Sequence, residues 1–295
     1  MFNNILVPLD GSKLSEASLA PAALLAETYK SHVTLLHVIE QDAPAEIHKE
    51  RHLTQPDEAQ EYLKEAAQRA FPAGIKVSTH VHTSPVMDVI GSILEHVREF
   101  QPDLIVTCTH GHSGVRDVLV GSIAQQIVAN GTTPLLLVKP DLGRFTLDRI
   151  LVPLDPESHH DDSLPVAKSF ATTFGSKLHL LSIIPTFSTL AGEQAAAGNL
   201  LPVTVQALLD INEENASEEL NSHANEFRKD GIKVFAEVAR GDPAPGIVKI
   251  AELSGADLII LTTHRKAGMG AFWARSVAPK VAQRTKIPLL LIPLA

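Results

Sequence analysis

Five short, nearly continuous apolar runs punctuate the first half of the chain: Ile5–Leu9, Val33–Ile39, Ile75–Val81, Leu104–Thr107 and Pro134–Val138. Runs of this length, rich in β-branched residues and without strict alternation, fit strands covered on both faces of a parallel sheet. Between them apolar positions recur at helical spacing. Leu14, Ala17, Pro21, Leu24, Leu25 and Thr28 mark one face, with Pro21 expected to kink or restart that helix. Further helices are predicted over Glu58–Phe71 and Val86–Phe100. A fourth opens at the capping-box pattern Ser122-Ile123-Ala124-Gln125 and stops at Gly131.

The second half repeats the order, with strands predicted at Ile150–Leu154, Lys177–Ile184, Ile232–Val238, Leu258–Leu261 and Pro288–Pro293. Its middle is longer. Thr186–Leu201 reads as a loop, followed by a helix carrying Leu208, Leu209, Ala216, Leu220, Ala224 and Phe227. Alternating strands and helices imply a doubly wound α/β architecture with helices on both faces of an open, mainly parallel five-stranded sheet, built twice.

The duplication is also written in the residues. Asn4-Ile5-Leu6-Val7-Pro8-Leu9-Asp10 returns as Arg149-Ile150-Leu151-Val152-Pro153-Leu154-Asp155, 145 positions later. Asp103-Leu104-Ile105-Val106 returns as Asp257-Leu258-Ile259-Ile260, and Pro134–Val138 returns as Pro288–Ile292. A period this long signals two copies of a whole domain, expected at 1–142 and 146–295 and joined by the short polar stretch Lys139–Asp148.

Composition narrows the class. The chain has 295 residues, 44 % hydrophobic and 20 % charged, with a net charge of −9. That balance disfavours nucleic acid and anionic membranes as partners. No apolar run approaches the ~20 residues of a membrane span, and the amino terminus lacks a basic region before an apolar core. The single cysteine, Cys108, cannot form an internal disulfide, and a reducing cytoplasm is the expected home.

In an open α/β sheet, ligands bind outside the carboxyl ends of the strands where strand order reverses. Asp10 closes the first strand there, followed by Gly11-Ser12. The fourth strand runs into Cys108-Thr109-His110-Gly111-His112-Ser113-Gly114, and Gly121-Ser122 opens the next helix. Helix N–H groups at Ser122 form an anion site, and Asp10 offers an acceptor for a ribose hydroxyl or an adenine amine. An adenine nucleotide matches that combination. The plainer reading is that the glycines only shape a loop and Asp10 only caps the helix behind it.

With these motifs the chain resembles a tandem universal stress protein, two family domains fused, over nearly all of both halves. The resemblance implies a Rossmann-like fold and the nucleotide signature Gly-x2-Gly-x9-Gly-(Ser/Thr). That signature falls on Cys108, Gly111, Gly121 and Ser122, with cysteine in place of the first glycine. It implies a nucleoside held at Asp10 and Val38, beside Pro8, Leu9, Thr107 and Cys108. It places phosphates around His110, Gly111, His112, Gly121, Ser122 and Ile123. ATP is the implied ligand, with Mg2+ as an accompanying option and other adenine nucleotides still open. It also implies an intramolecular pseudo-dimer through the last strands, Pro134–Val138 and Pro288–Pro293, with a further homodimer and an unidentified protein partner open to it.

The two halves part at the phosphate loop. Asp155 persists and Ile183 matches Val38. Cys108, Gly111 and Gly121 become Thr262, Arg265 and Arg275, only Ser276 keeps its match, and Pro279 replaces Gln125. Arginine fills the volume a phosphate needs and resists positive φ, so the usual ATP mode is expected to be lost there, leaving a solvated basic loop or a side-chain anion site.

A regulatory nucleotide-binding module competes with a nucleotide-consuming enzyme. No P-loop or pyrophosphatase loop is present, and no general base is evident beyond His110 and His112, so any ATP hydrolysis or autophosphorylation is expected to be slow. A metal-binding stress protein is the third class, since 14 histidines include His80 and His82 on one strand face and the run His159-His160-Asp161-Asp162. Neither group supplies three convergent ligands by spacing, and structural or surface roles are expected for both.

Overall fold

The computed structural model describes residues 1–44, 46–47, 50–109, 126–127, 132–155, 162–190, 192–263 and 277–293. They fall into two compact units that divide between Phe145 and Thr146.

The first unit is built on β1 (Asn4–Pro8), β2 (His32–Glu40), β5 (Lys76–Val86), β6 (Leu104–Cys108) and β7 (Leu135–Val138), in the order β7-β6-β1-β2-β5. Each neighbouring pair is parallel. Ile5, Leu6 and Val7 of β1 and Leu104, Ile105 and Val106 of β6 are fully buried, as strands with helices on both faces must be. The chain builds outward from β1 through β2 to β5, then crosses back to β6. The reversal of strand order therefore lies between β1 and β6. Between β2 and β5, Glu46–Ile47 (β3) and Glu50–Arg51 (β4) pair as a small antiparallel ribbon.

Helix α1 is Leu19–Tyr29, preceded by a 3₁₀ turn at Ser15–Ser18. The helical face that opens at Leu14 restarts as an α-helix at Leu19, two residues before Pro21. The proline lies in the first turn, where its missing N–H has no intrahelical partner to lose. Helix α2 is Pro56–Ala70, and α3 is Val89–Phe100 with the Asp88 side chain accepting from Gly91 N at its start. The expectation that this helix begins at Val86 is corrected: β5 continues to Val86, pairing it with Glu40 after an irregularity beyond the Val38–His82 pair. Pro85 fits that break because it has no N–H for a ladder. The helix expected from Ser122 lies outside the described residues apart from Gln126 and Ile127, which are helical.

The second unit repeats the design with β8 (Arg149–Leu154), β9 (Lys177–Ile184), β10 (Val234–Arg240), β11 (Leu258–Thr263) and β12 (Leu289–Pro293), ordered β10-β9-β8-β11-β12. Its helices are α4 (Ser163–Phe174), α5 (Gly192–Leu200), α6 (Pro202–Lys229), α7 (Pro243–Ser254) and α8 (Val277–Arg284). The loop expected over Thr186–Leu201 is corrected to a 3₁₀ turn, Phe187–Thr189, and the helix α5. Three consecutive alanines, Ala195–Ala197, carry the strongest helix propensity and explain it. Helix α6 buries Leu209, Ala216, Leu220, Ala224 and Phe227, and Ile184, Leu209 and Ala216 form a local core. Leu208 turns outward.

Candidate functional site

A cleft opens in the first unit where the carboxyl ends of β1, β2 and β6 meet. Pro8, Leu9 and Asp10 line it from β1, Leu36, Val38 and Glu40 from β2, and Thr107 and Cys108 from β6. Ser15, His52, Val89 and Ile93 complete the wall. Six residues expected from sequence, Pro8, Leu9, Asp10, Val38, Thr107 and Cys108, are thus brought together. His110, Gly111, His112, Gly121, Ser122 and Ile123 lie outside the described residues.

Asp10 has a local duty as well. Its Oδ1 accepts from Ser12 N at 2.9 Å and from Ser12 Oγ at 2.7 Å. Ser12 Oγ in turn accepts from Ser15 N at 3.2 Å, so the carboxylate also fixes the turn into α1. Gly11 makes this turn at φ +88°, and a β carbon there would sit 2.7 Å from Leu53 Cδ1.

Leu53 follows the ribbon, which is pinned to this corner by polar contacts too. Lys13 N donates to Glu50 Oε2 at 2.7 Å. Buried His37 stands between the two sides, with Nδ1 2.8 Å from Leu9 O and Nε2 3.3 Å from Leu53 O. Burial holds the His37 pKa below its ordinary 6.5, while the two carbonyls and the charge of Asp10 oppose that shift. His52, also buried, places Nδ1 3.2 Å from Pro44 O and Nε2 3.9 Å from Glu40 Oε2.

Burial raises the Cys108 thiol to about 12, and the charge of Asp10 adds to the effect. The thiol is therefore protonated at neutral pH and is no nucleophile. Tyr62 is likewise raised, chiefly by burial and then by Glu16.

Sequence reasoning missed Ser15, Leu36, Glu40, His52, Val89 and Ile93. Leu36 and Glu40 follow from Val38 by the two-residue period of a strand, and Val89 and Ile93 are one turn apart on α3. His52 had no signal, because the crossover that carries it shows no periodicity.

Away from the cleft, His82 Nδ1 on β5 lies 3.1 Å from His96 Nε2 on α3, and His96 Nδ1 lies 3.1 Å from Glu99 Oε2. His80 packs edge-on against His96 and Phe100. Among the described residues no three His, Cys, Asp or Glu side chains form a group able to hold a metal ion. His159, His160 and Asp161 lie outside the described residues. No described helix is long and apolar enough to cross a membrane.

In the second unit Asp155 is exposed at the end of β8 and Ile183 occupies the Val38 position. Ile183 Cδ1 comes to 2.6 Å from where a β carbon on Gly246 would stand, so helix α7 packs closely on that strand end. Pro279 is buried in α8. Arg265, Arg275 and Ser276 lie outside the described residues.

A sequence model described as the universal stress protein family matches residues 1–139 and again 146–293. Universal stress protein MJ0531 of Methanocaldococcus jannaschii is 30 % identical over 146 residues, spanning 47 % of this chain and 83 % of that protein. Universal stress protein YxiE of Bacillus subtilis is 27 % identical over 152 residues, spanning 47 % of this chain and all of its own length (100 %). A crystal structure of a universal stress protein from Archaeoglobus fulgidus shares the fold across 99 % of this chain and 96 % of its own, with a TM-score of 0.70 at 20 % identity.

Proposed function

Because this chain belongs to the universal stress protein family through both of its halves, we propose that its first unit binds an adenine nucleotide, with ATP as principal ligand, and acts as a regulatory or interaction module in the stress response. The observation that carries this reading is the cleft at the ends of β1, β2 and β6, where the expected nucleoside contacts Asp10, Val38, Thr107 and Cys108 stand together.

The chemistry of the wall suits the ligand. A nucleoside presents donors, the ribose hydroxyls and the adenine amine, and the cleft offers the carboxylates of Asp10 and Glu40. Leu36, Val38, Val89 and Ile93 supply apolar surface for the faces of the base. The phosphates, with Mg2+ where it accompanies them, go to the backbone around Gly111, Gly121 and Ser122, the positions that match the family signature. The second unit has arginine at both glycine positions, so one nucleotide binds per chain.

Any ATP hydrolysis at this site is slow at most, because donors that hold the phosphates equally in ground and transition states lower no barrier. The test is the nucleotide itself: mass spectrometry of the purified protein for a retained adenine ligand, with calorimetry for ATP. One site per chain is expected. Absence of any adenine nucleotide, retained or added, refutes the reading.

A further inference from the structure

His37 touches two pieces of backbone that must keep their places for the cleft to keep its shape. One is the Leu9 carbonyl, immediately before Asp10. The other is the Leu53 carbonyl, at the end of the ribbon whose His52 forms part of the cleft wall. Both partners are acceptors. A neutral imidazole carries a single N–H, so it can satisfy only one of them, and the 2.8 Å contact to Leu9 is the better bond. The ring nitrogen 3.3 Å from Leu53 O then presents a lone pair to a lone pair. Only imidazolium donates to both.

The repeat supplies an internal control. Ser182 stands at the His37 position in the second unit, buried, and its Oγ has no hydrogen-bond partner among the described residues. The strand packs there without a histidine, in a unit whose crossover, among the described residues, is helical and carries no ribbon. The histidine belongs to the unit that has the ribbon and keeps Gly111 and Gly121, and the serine to the unit that has neither.

We infer that His37 is a proton-operated positioning residue for the first unit's cleft: protonation ties the ribbon to the end of β1 and raises the affinity for nucleotide. This rests on the nucleotide reading above. The groups facing the ring are Asp10, at the end of β1, which favours the proton, and His52, after the ribbon, which opposes it together with burial. By linkage, a ligand that closes the ribbon draws a proton onto His37, and acid in turn strengthens the ligand.

The experiment measures ATP affinity by calorimetry between about pH 8 and pH 5, a range that reaches well below 6.5 because burial lowers the His37 pKa, and hydrogen exchange of residues 46–53 without nucleotide, corrected for intrinsic rates. It compares the wild type with His37→Asn and His37→Ser. In the wild type, affinity and ribbon protection should both rise several-fold towards acid, within the limit of about tenfold per pH unit set by one proton. His37→Asn keeps one donor for Leu9, so it should match the wild type near pH 8 and lose the pH slope. His37→Ser should weaken binding throughout and leave the ribbon unprotected. A slope that survives in His37→Asn, or ribbon protection independent of pH in the wild type, overturns the inference. If no ATP binds at any pH, the nucleotide reading fails and ribbon protection alone decides the role of His37.

Discussion

Asp103 and Asp257 do the same work at matching positions of the two units. Asp103 accepts from Asn3 N at 2.7 Å and Asn4 N at 3.0 Å, and its own N–H donates to Asn4 O. Asp257 accepts from Asp148 N and Arg149 N, both at 2.9 Å, and donates to Arg149 O. Each carboxylate thus fixes the start of its unit's central strand against the start of the strand beside it. Asp103→Ala should lower stability by about 1–2 kcal/mol, as expected for losing charge-assisted bonds to backbone donors. Urea unfolding followed by circular dichroism checks this, and an unshifted midpoint would show that water replaces the carboxylate without loss.

That pair shows what the sequence could and could not reveal. The aspartates were visible as part of a repeated motif, but not as clamps, because their partners are 99 to 109 positions away. The strands were legible because Ile5–Leu9 and Leu104–Thr107 are short, apolar and branched. Asp10 was legible because strand ends are where such folds bind ligands, and Val38 only through the family resemblance. Glu40 and His52 were not. The first lies past the end of an apolar run, and the second sits in a polar crossover whose fold depends on His37, Leu53 and Gly11 meeting in space.

Stoichiometry distinguishes the two halves. Asp10→Ala should weaken ATP binding at least about tenfold, roughly 1.4 kcal/mol, whereas Asp155→Ala should leave it unchanged. Isothermal calorimetry on both variants decides the matter. Two equal sites in the wild type would mean that Arg265 and Arg275 do not block the second.

Gly11 separates backbone strain from collision. Gly11→Ala forces alanine to φ +88° and drives its β carbon against Leu53, whereas Gly74→Ala, at φ +104°, meets nothing within 4 Å. Strain alone should cost about 1–2 kcal/mol at either position, so the excess at Gly11 measures the Leu53 contact. Adding Leu53→Ala to Gly11→Ala should recover that excess. If both single variants lose the same stability, Leu53 moves aside freely.

Histidine burial gives the fold an acid-labile contribution. The pKa of His37 is lowered mainly by burial, so between that lowered value and 6.5 the unfolded chain holds more protons than the folded one. Stability from this group is fully present above pH 6.5 and is lost as pH falls through the folded pKa. This concerns the whole fold, and it coexists with a ribbon that tightens locally on protonation. His37→Gln should flatten the decline in urea midpoint below pH 6.5, and an unchanged decline would assign it to other groups such as His80 and His179, which burial also lowers.

Cys108 offers a check that needs no nucleotide. With its pKa raised to about 12, the thiolate fraction at pH 8 is about one in ten thousand, against roughly one in four for an ordinary cysteine near 8.5. Iodoacetamide reacts with the thiolate, so labelling should run about a thousandfold slower than for an unhindered peptide thiol and should speed up steadily as pH rises. Access is not the obstacle, because the residue is only half-buried and lines the cleft. Rapid labelling at pH 8 would mean that the thiol is ionised and that the cleft is more polar than its geometry implies. Saturating ATP should then slow the reaction further by covering the sulfur. Protection by ATP but not by inorganic phosphate would place the nucleoside, rather than the phosphates alone, at Cys108.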